Sequence, residues 1–179
     1  GLDRWQMVPR MAQIYLGSRQ YISGIHWLIL TPNAQAFKEL IGVSNARNFQ
    51  IIIASPPRSQ IADYLSGADI AFLFREDNLV NRVASPVKLA EYLACGLSVI
   101  LSPWIGDCSQ VVADHQVGLL IDVNNVDYGE IIQFARRFKS ERKLMRERCI
   151  TIATEYYDWT KHIRIYEQIL DGSTFEDRV

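Results

Sequence analysis

Short apolar runs alternate with amphipathic helical stretches along most of this 179-residue chain, and this alternation restricts the possible folds most. The runs are strand-length and nearly continuous, as strands covered on both faces are. They predict strands at Met11–Leu16, Ile25–Leu30, Phe49–Ile53, Ile70–Phe74, Ser98–Leu101 and Gly118–Ile121. Strands that alternate with helices form βαβ units with right-handed crossovers. We therefore expect an α/β fold: a Rossmann-like parallel sheet of about six strands with helices on both faces.

Helical patterns fill the intervals between these runs. They predict helices at Ala34–Ile41, Ser59–Leu65, Pro86–Ala94 and Cys108–Ala113. After Asp122 the pattern is helical only, with further helices at Tyr128–Phe138, Glu141–Tyr156 and Trp159–Leu170. We expect residues 1–179 to form a single domain that ends in these C-terminal helices.

The interval between the first two predicted strands is too short for a parallel crossover. Only the eight residues Gly17–Gly24 separate the two strands, whereas a crossover takes about a dozen or more. Either the strands are antiparallel neighbours, or a helix is missing from the sequence at this point. We favour the second alternative, because every later unit has the parallel pattern.

Charge and composition exclude several classes of function. The chain carries 19 Lys and Arg against 20 Asp and Glu, whereas a nucleic-acid binder would show a basic surplus. Cys95, Cys108 and Cys149 form no C-x-x-C pair, and the three histidines are scattered, so we expect no metal site. Unpaired cysteines are typical of a reducing compartment, and we expect a cytoplasmic protein.

One predicted helix carries the clearest chemical signal. Ser85 followed by Pro86 is typical of an N-cap and a first helical residue, at the edge of the sheet where parallel strands end and ligands bind. Free N–H groups at such a helix start favour an anion, and a bound phosphate would explain Lys88 in the first turn. Glu91, about 9 Å farther along the axis, could accept hydrogen bonds from two ribose hydroxyls. A surface ion pair between Lys88 and Glu91 is the open alternative.

The predicted helix and the strand after it read Ser85-Pro86-Val87-Lys88-Leu89-Ala90-Glu91-Tyr92-Leu93-Ala94-Cys95-Gly96-Leu97-Ser98-Val99-Ile100. This segment resembles the central signature of the group 1 (family 4) glycosyltransferases, P-x-K-x-x-E-Y-x-A-x-G-x-P-V-I, with Ser98 in place of the proline. These are GT-B enzymes with two Rossmann-like domains, of which the C-terminal one holds the nucleotide-sugar donor. The resemblance implies that residues 1–179 are this donor domain and that the N-terminal acceptor domain is absent from the chain.

The resemblance also implies the activity. The parent enzyme would be a hexosyltransferase that moves a sugar from a nucleoside diphosphate sugar to a glycan or a lipid-linked acceptor, with retention of configuration and without a cofactor or metal. This domain alone would be inactive, and the full enzyme could contact a membrane surface. The base, the sugar and the acceptor are not defined by the sequence.

The family's binding residues can be carried over one at a time. Glu91 matches the acid that binds the donor ribose, and Ser85 and Lys88 match the part beside the diphosphate. Gly17 and Arg19 match the loop after the first strand, which grips the phosphates.

Three further binding candidates, Arg58, Arg75 and Glu76, follow predicted strands. Arg58 lies in the region that borders the base, and Arg75 and Glu76 could contact the donor sugar or the acceptor, or form a pair in solvent. Many relatives carry a second glutamate where this chain has Val83, so another residue must hold the sugar here. No residue is assigned a catalytic role.

Two alternatives remain open. Half of a GT-B-type sugar-nucleotide 2-epimerase would share the architecture and the ribose-binding acid, although Val83 and Gln110 replace carboxylates that such enzymes use around the sugar. A non-catalytic Rossmann-like ligand-binding module would need no second domain.

Overall fold

The computed structural model describes residues 4–42 and 49–170. Within these ranges the strands are β1 Trp27–Leu30, β2 Ile51–Ala54, β3 Ile70–Leu73, β4 Ser98–Leu101 and β5 Gly118–Leu120. The α-helices are α1 Val8–Ser18, α2 Ala34–Leu40, α3 Ile61–Ser66, α4 Leu79–Arg82, α5 Val87–Ala94, α6 Gly106–Asp114, α7 Tyr128–Ser140, α8 Arg142–Tyr156 and α9 Trp159–Leu170. Short 3₁₀ turns lie at Arg4–Gln6 and Arg58–Gln60. None of the helices in these ranges has the length and apolar character needed to cross a bilayer.

All strand pairs in the described ranges are parallel, as predicted, but the prediction of one sheet of about six strands is wrong. β1 pairs with β2, and β4 lies between β3 and β5. The two sheets meet through aromatic side chains, because the rings of Trp27 in β1 and Phe72 in β3 pack edge to face with centroids 6.4 Å apart. The fold is therefore α/β, with parallel sheets of two and three strands.

The first predicted strand, Met11–Leu16, is wrong, because these residues belong to helix α1. Val8, Ala12 and Tyr15 are buried at the i, i+4, i+7 spacing of one helix face. That spacing matches the helical period, and a strand could not bury all three on one side. The later predicted elements in the described ranges are confirmed, with ends displaced by no more than two residues.

The assignment of Met11–Leu16 to helix α1 also explains why the interval Gly17–Gly24 is so short. The Tyr21 and Ile22 N–H groups both donate to the Ser18 carbonyl at 3.0 Å, so α1 runs into a tight turn that leads to β1. No crossover between parallel strands is needed here. The expectations of a missing helix and of an antiparallel pair are therefore both wrong.

Helices cover both faces of the three-stranded sheet. Val99 and Leu101 of β4 belong to an apolar core with α5, α6 and α8, whereas Ile100 between them belongs to a second core with α1 and α7. This alternation follows from the two-residue period of a strand. The prediction of a sheet buried on both faces is confirmed for β4.

Helix α1 connects the two edges of the sheet. The Tyr15 hydroxyl, near its end, donates to the Phe49 carbonyl (2.9 Å) just before β2. At the other end, Trp5 precedes the helix and contacts Arg75, which follows β3. The start of α1 therefore lies at the carboxyl edge of the strands, and its end lies at the amino edge.

Arg146 of α8 fixes the ends of two helices at the amino edge. Its guanidinium donates hydrogen bonds to the carbonyls of Ser66 (3.0 Å), Ala68 (2.9 Å) and Cys95 (3.0 Å). These carbonyls lie at or just beyond the C-termini of α3 and α5, where no further helical turn supplies a donor. One side chain thereby holds α3, α5 and α8 together.

We predict that Arg146→Ala lowers the free energy of unfolding by about 1.5–3 kcal/mol, because three carbonyls lose a charged donor. Urea unfolding followed by circular dichroism measures the change. The matched control is Arg136→Ala, an exposed arginine on α7, which should change stability by less than about 0.5 kcal/mol. Equal losses in the two variants would contradict this role of Arg146.

Candidate functional site

The carboxyl ends of β3 and β4 are tied together by the buried hydroxyl of Ser102. This hydroxyl accepts a hydrogen bond from the Arg75 N–H and donates one to the Arg75 carbonyl, both at 3.1 Å. The Trp104 Nε1–H donates to the same carbonyl at 2.8 Å. The backbone of Arg75 is therefore fixed at the point where the chain leaves the sheet.

The side chain of Arg75 is a buried cation. The residue is only 5% exposed, its Nη1 donates to the Phe74 carbonyl (3.1 Å), and its Cζ lies 4.3 Å from the centroid of the Trp5 ring. Burial lowers its pKa from the ordinary arginine value. The ion pairs of residues 4–42 and 49–170 include no carboxylate partner for Arg75. A positive charge thus stands at the carboxyl edge without a neutralising group from the described chain.

The loop after Arg75 is ordered by short-range contacts and contains helix α4, which the sequence did not predict. The Asn78 side chain accepts from the Asn81 N–H (2.9 Å) and caps α4, and the Asn81 side chain donates to the Glu76 carbonyl (2.8 Å). Arg82 forms a two-point pair with Asp77 at 2.7 and 2.9 Å. This pair lowers the pKa of Asp77 through the hydrogen bond from Arg82.

The outer surface of this loop is apolar. Leu79, Val80, Val83 and Val87 are each more than 70% exposed. Val83 occupies the position at which many relatives of the resembled family carry a glutamate. The described structure therefore places an aliphatic side chain, rather than a carboxylate, at this position before α5.

Helix α5 begins one residue later than predicted. Pro86 occupies the N-cap position and has no side-chain cap, and the first helical residue is Val87. The Ser85 hydroxyl instead donates to Asp107 Oδ2 in the first turn of α6, at 3.5 Å. The starts of α5 and α6 therefore lie side by side at the carboxyl edge.

Glu91 and Lys88 lie on α5 as the sequence predicted. Leu89 and Leu93 are the buried residues of this helix, and Glu91 lies on its exposed face. Glu91 is five residues beyond Pro86, so the axial separation is about 7.5 Å rather than the predicted 9 Å. The predicted Lys88–Glu91 surface pair is not among the ion pairs of the described residues.

The three remaining candidates from the sequence lie away from the start of α5. Gly17 is in the last turn of α1, and Arg19 is its C-cap, at the amino edge of the sheet. A side chain at Gly17 would come within 2.5 Å of the Tyr128 ring, so this glycine permits the close contact between α1 and α7. Arg58 is exposed in the 3₁₀ turn after β2, at the carboxyl edge of the two-stranded sheet.

The structure thus brings Arg75, Glu76, Ser85 and Lys88 to the carboxyl edge, with Glu91 farther along α5, and it leaves Gly17 and Arg19 at the amino edge. It also adds two residues that the sequence did not indicate. Trp5 packs on Arg75, and Arg4 Nε lies 3.4 Å from Glu76 Oε1. Had α1 been recognised as a helix that ends at the amino edge, the residues before it would have been expected at the carboxyl edge.

The Cys108 thiol lies in the first turn of α6, beside Ser85 and Asp107, but it is unsuited to nucleophilic chemistry. It is completely buried, and its pKa is raised to about 12, chiefly by burial and further by the Asp107 carboxylate. A thiol needs to ionise near neutral pH to act as a nucleophile. Cys108 is therefore a packing residue of the core.

We predict that Cys108 and Cys149 resist alkylation in the folded protein at about pH 8, because both are buried and burial raises both pKa values. The half-buried Cys95 is the internal comparison and should react first. Mass mapping after iodoacetamide treatment, with and without urea, measures the three sites. Rapid labelling of Cys108 in the absence of urea would contradict the burial of this thiol.

Gly106 permits the contact between the starts of α5 and α6. Its φ is +41°, and a Cβ at this position would overlap the Ala84 carbonyl. That carbonyl belongs to the backbone, so the overlap could be relieved only by moving the loop before α5. The Ser85–Asp107 contact depends on this close approach.

We predict that Gly106→Ala lowers the free energy of unfolding by about 2–4 kcal/mol, the sum of left-handed strain and overpacking. The control is Gly24→Ala, which has φ +74° and nothing within 4 Å of a built Cβ. Strain alone should cost this control about 1 kcal/mol. Urea unfolding of both variants measures the difference. Equal losses of unfolding free energy would show that the close approach of Gly106 to the Ala84 carbonyl does not contribute to stability.

Comparison with known proteins identifies the family of this chain. The family model described as "Glycosyl transferases group 1" matches residues 22–155, well over half of the chain. The matched span includes all five strands and the start of α5, and it begins beyond Gly17 and Arg19. No curated protein matches the chain.

Proposed function

This chain belongs to the group 1 glycosyltransferases, and we propose that it is the donor-binding half of an enzyme that transfers a sugar from a nucleoside diphosphate sugar. The observation that carries the proposal is the arrangement at the carboxyl edge of β3. There the start of α5 and the buried cation of Arg75 lie at one edge of a parallel sheet, and the exposed carboxylate of Glu91 follows along α5. Ligands of such sheets bind at this edge.

The diphosphate is assigned to the start of α5. The Leu89 N–H already donates to the Pro86 carbonyl (3.0 Å), and the N–H groups of Val87 and Lys88 precede the first full helical turn. Such N–H groups and the helix dipole favour an anion. Lys88 contributes a point charge, and Arg75 contributes a planar fork of donors.

The ribose is assigned to Glu91. Its separation from the helix start, about 7.5 Å along the axis, is comparable to the distance from a diphosphate to the far side of the adjoining ribose. A carboxylate can accept hydrogen bonds from two vicinal hydroxyls, as the acidic residue of dinucleotide folds does. Arg58, at the edge of the neighbouring sheet, remains the candidate beside the base.

The proposed chemistry is electrostatic. When the bond between the anomeric carbon and the diphosphate oxygen breaks, negative charge increases on the departing diphosphate. Lys88, Arg75 and the N–H groups of α5 are placed to stabilise that charge, which is usually the largest catalytic contribution. A retaining course without a metal or cofactor is what the family resemblance implies. We expect the chain alone to bind donor without transferring its sugar, because one Rossmann-like domain forms one wall of a two-domain cleft.

The apolar side of the loop before α5 is assigned to the part of the acceptor that reaches this domain, whereas the N-terminal domain would hold the rest. Leu79, Val80, Val83 and Val87 expose aliphatic surface beside the proposed diphosphate position. Grouped exposed apolar side chains usually mark a binding surface. They favour a lipid-linked acceptor over a free glycan, which would require hydrogen-bonding groups there.

We predict that Glu91→Ala weakens the binding of nucleoside diphosphates by about 5- to 150-fold, because two ribose hydroxyls lose their acceptor. Isothermal titration calorimetry with a panel of nucleoside diphosphates measures the change. The 2′-deoxy forms should bind less tightly than the ribonucleotides to the parent chain and equally well to the variant.

The matched control is Glu147→Ala, a carboxylate on α8 that forms an exposed pair with Lys143 at 3.8 Å, beside Arg146 at the amino edge. It should bind every nucleotide as the parent chain does. Identical affinities for the parent and Glu91→Ala would remove Glu91 from the site and leave the donor assignment without its ribose contact.

A further inference from the structure

We propose that Trp5 is a positioning residue of the donor site. Its indole ring lies against the Arg75 guanidinium and thereby orients the N–H groups of Arg75 toward a phosphate of the donor. This inference rests on the proposed function and goes beyond it, because the family match begins at residue 22 and therefore does not include Trp5.

The contact between the two side chains leaves donors available. The Arg75 Cζ lies 4.3 Å from the centroid of the Trp5 ring, within the range of a cation–π contact. A cation–π contact supplies no oxygen or nitrogen acceptor, so it leaves the N–H donors of the guanidinium to be satisfied by other groups. Nη1 donates to the backbone carbonyl of Phe74, and the described residues supply no side-chain acceptor to this guanidinium. The remaining edge of the guanidinium is suited to two phosphate oxygens.

Trp5 is held above Arg75 by anchors on both sides. On one side, Arg4 Nε pairs with Glu76 Oε1 at 3.4 Å. On the other side, Gln6 is buried, and Met7, with φ +54°, packs against the core beneath α1. The indole itself remains 42% exposed. A tryptophan that served only to pack the hydrophobic core would be more deeply buried.

The charges around Arg75 favour a phosphate as the missing partner. A buried cation without a counter-ion is costly, and a cation–π contact offsets part of that cost. The Glu76 carboxylate is already paired with Arg4, so the nearest acidic side chain along the chain does not neutralise Arg75. The start of α5 lies at the same edge and favours the same kind of ligand.

The test is calorimetric titration of the chain with inorganic pyrophosphate, nucleoside diphosphates and the matching nucleosides. Trp5→Leu should weaken both phosphate-bearing probes by about 5- to 10-fold, the upper part of the range for ordering one long side chain on binding, because Arg75 would no longer be held in place beforehand. Nucleoside binding should stay unchanged. Trp5→Phe keeps a stacking ring and should remain within about threefold of the parent chain. Trp159→Leu, which removes an exposed indole stacked on Tyr166 in α9, should have no effect.

A second arm separates positioning from simple packing. In an Arg75→Met background, Trp5→Leu should cause no further loss of pyrophosphate affinity, since the group that it orients is gone. If Arg75→Met does not fold, as judged by thermal unfolding, Arg75→Lys serves instead, because it keeps the charge and lacks the planar fork. Equal losses from Trp5→Leu in both backgrounds would overturn the proposal.

The remaining outcomes are distinct. Unchanged pyrophosphate affinity in Trp5→Leu overturns the role of Trp5, even where Glu91→Ala still weakens nucleotide binding and so supports the donor site. Nucleotide binding that is insensitive to Glu91→Ala overturns the ribose assignment, whatever Trp5 does. Failure of the parent chain to bind either phosphate probe overturns both.

Discussion

The hydroxyl of Ser102 is the contact on which the rest of the candidate site depends. It is completely buried and satisfies both the N–H and the carbonyl of Arg75, so β3 and β4 end in a fixed relation. The Ser109 hydroxyl extends this network, because it donates to the Ser102 carbonyl (3.0 Å) and accepts from the Ile105 N–H (2.9 Å). Buried polar groups that are fully satisfied in this way are rigid. The loop to α5 and the first turn of α6 therefore start from one hydrogen-bonded framework.

Most of the fold could be predicted because the strands after α1 are strongly apolar, and β4 among them is fully buried. β4 was predicted exactly, and its four residues are buried. Helix α1 could not be predicted from the same signal, because it packs into two cores at once. Ile14 contacts the core beneath α7, whereas Tyr15 beside it contacts the core around β1 and β2. A helix that is buried over so wide an arc has a nearly continuous apolar run in its sequence. Periodicity then cannot distinguish the helix from a strand, and only the length of the run and its flanking residues can.

Some features of the candidate site likewise follow from the local sequence, whereas others depend on contacts between distant parts of the chain. The start of α5, with Lys88 and Glu91 at fixed positions along it, follows from the residues of one helix, and the sequence predicted it to within one residue. The contact between Trp5 and Arg75 joins residues on different elements, and nothing in either local sequence indicates it. Helix α4 was missed because it is a single turn whose cap, Asn78, resembles an ordinary loop residue. The number of sheet strands was also missed, because hydrogen bonding between strands is a long-range property.

Arg75 is difficult to explain as a purely structural residue. Its burial carries a desolvation penalty that one carbonyl and one aromatic ring offset only in part. An apolar side chain of similar volume would often stabilise such a position as well or better. In the chain without ligand, the tie at Ser102 and the ring of Trp5 keep the cation in place at a cost in stability. In the proposed donor complex a phosphate would offset that cost, so the residue that destabilises the free fold would stabilise the complex.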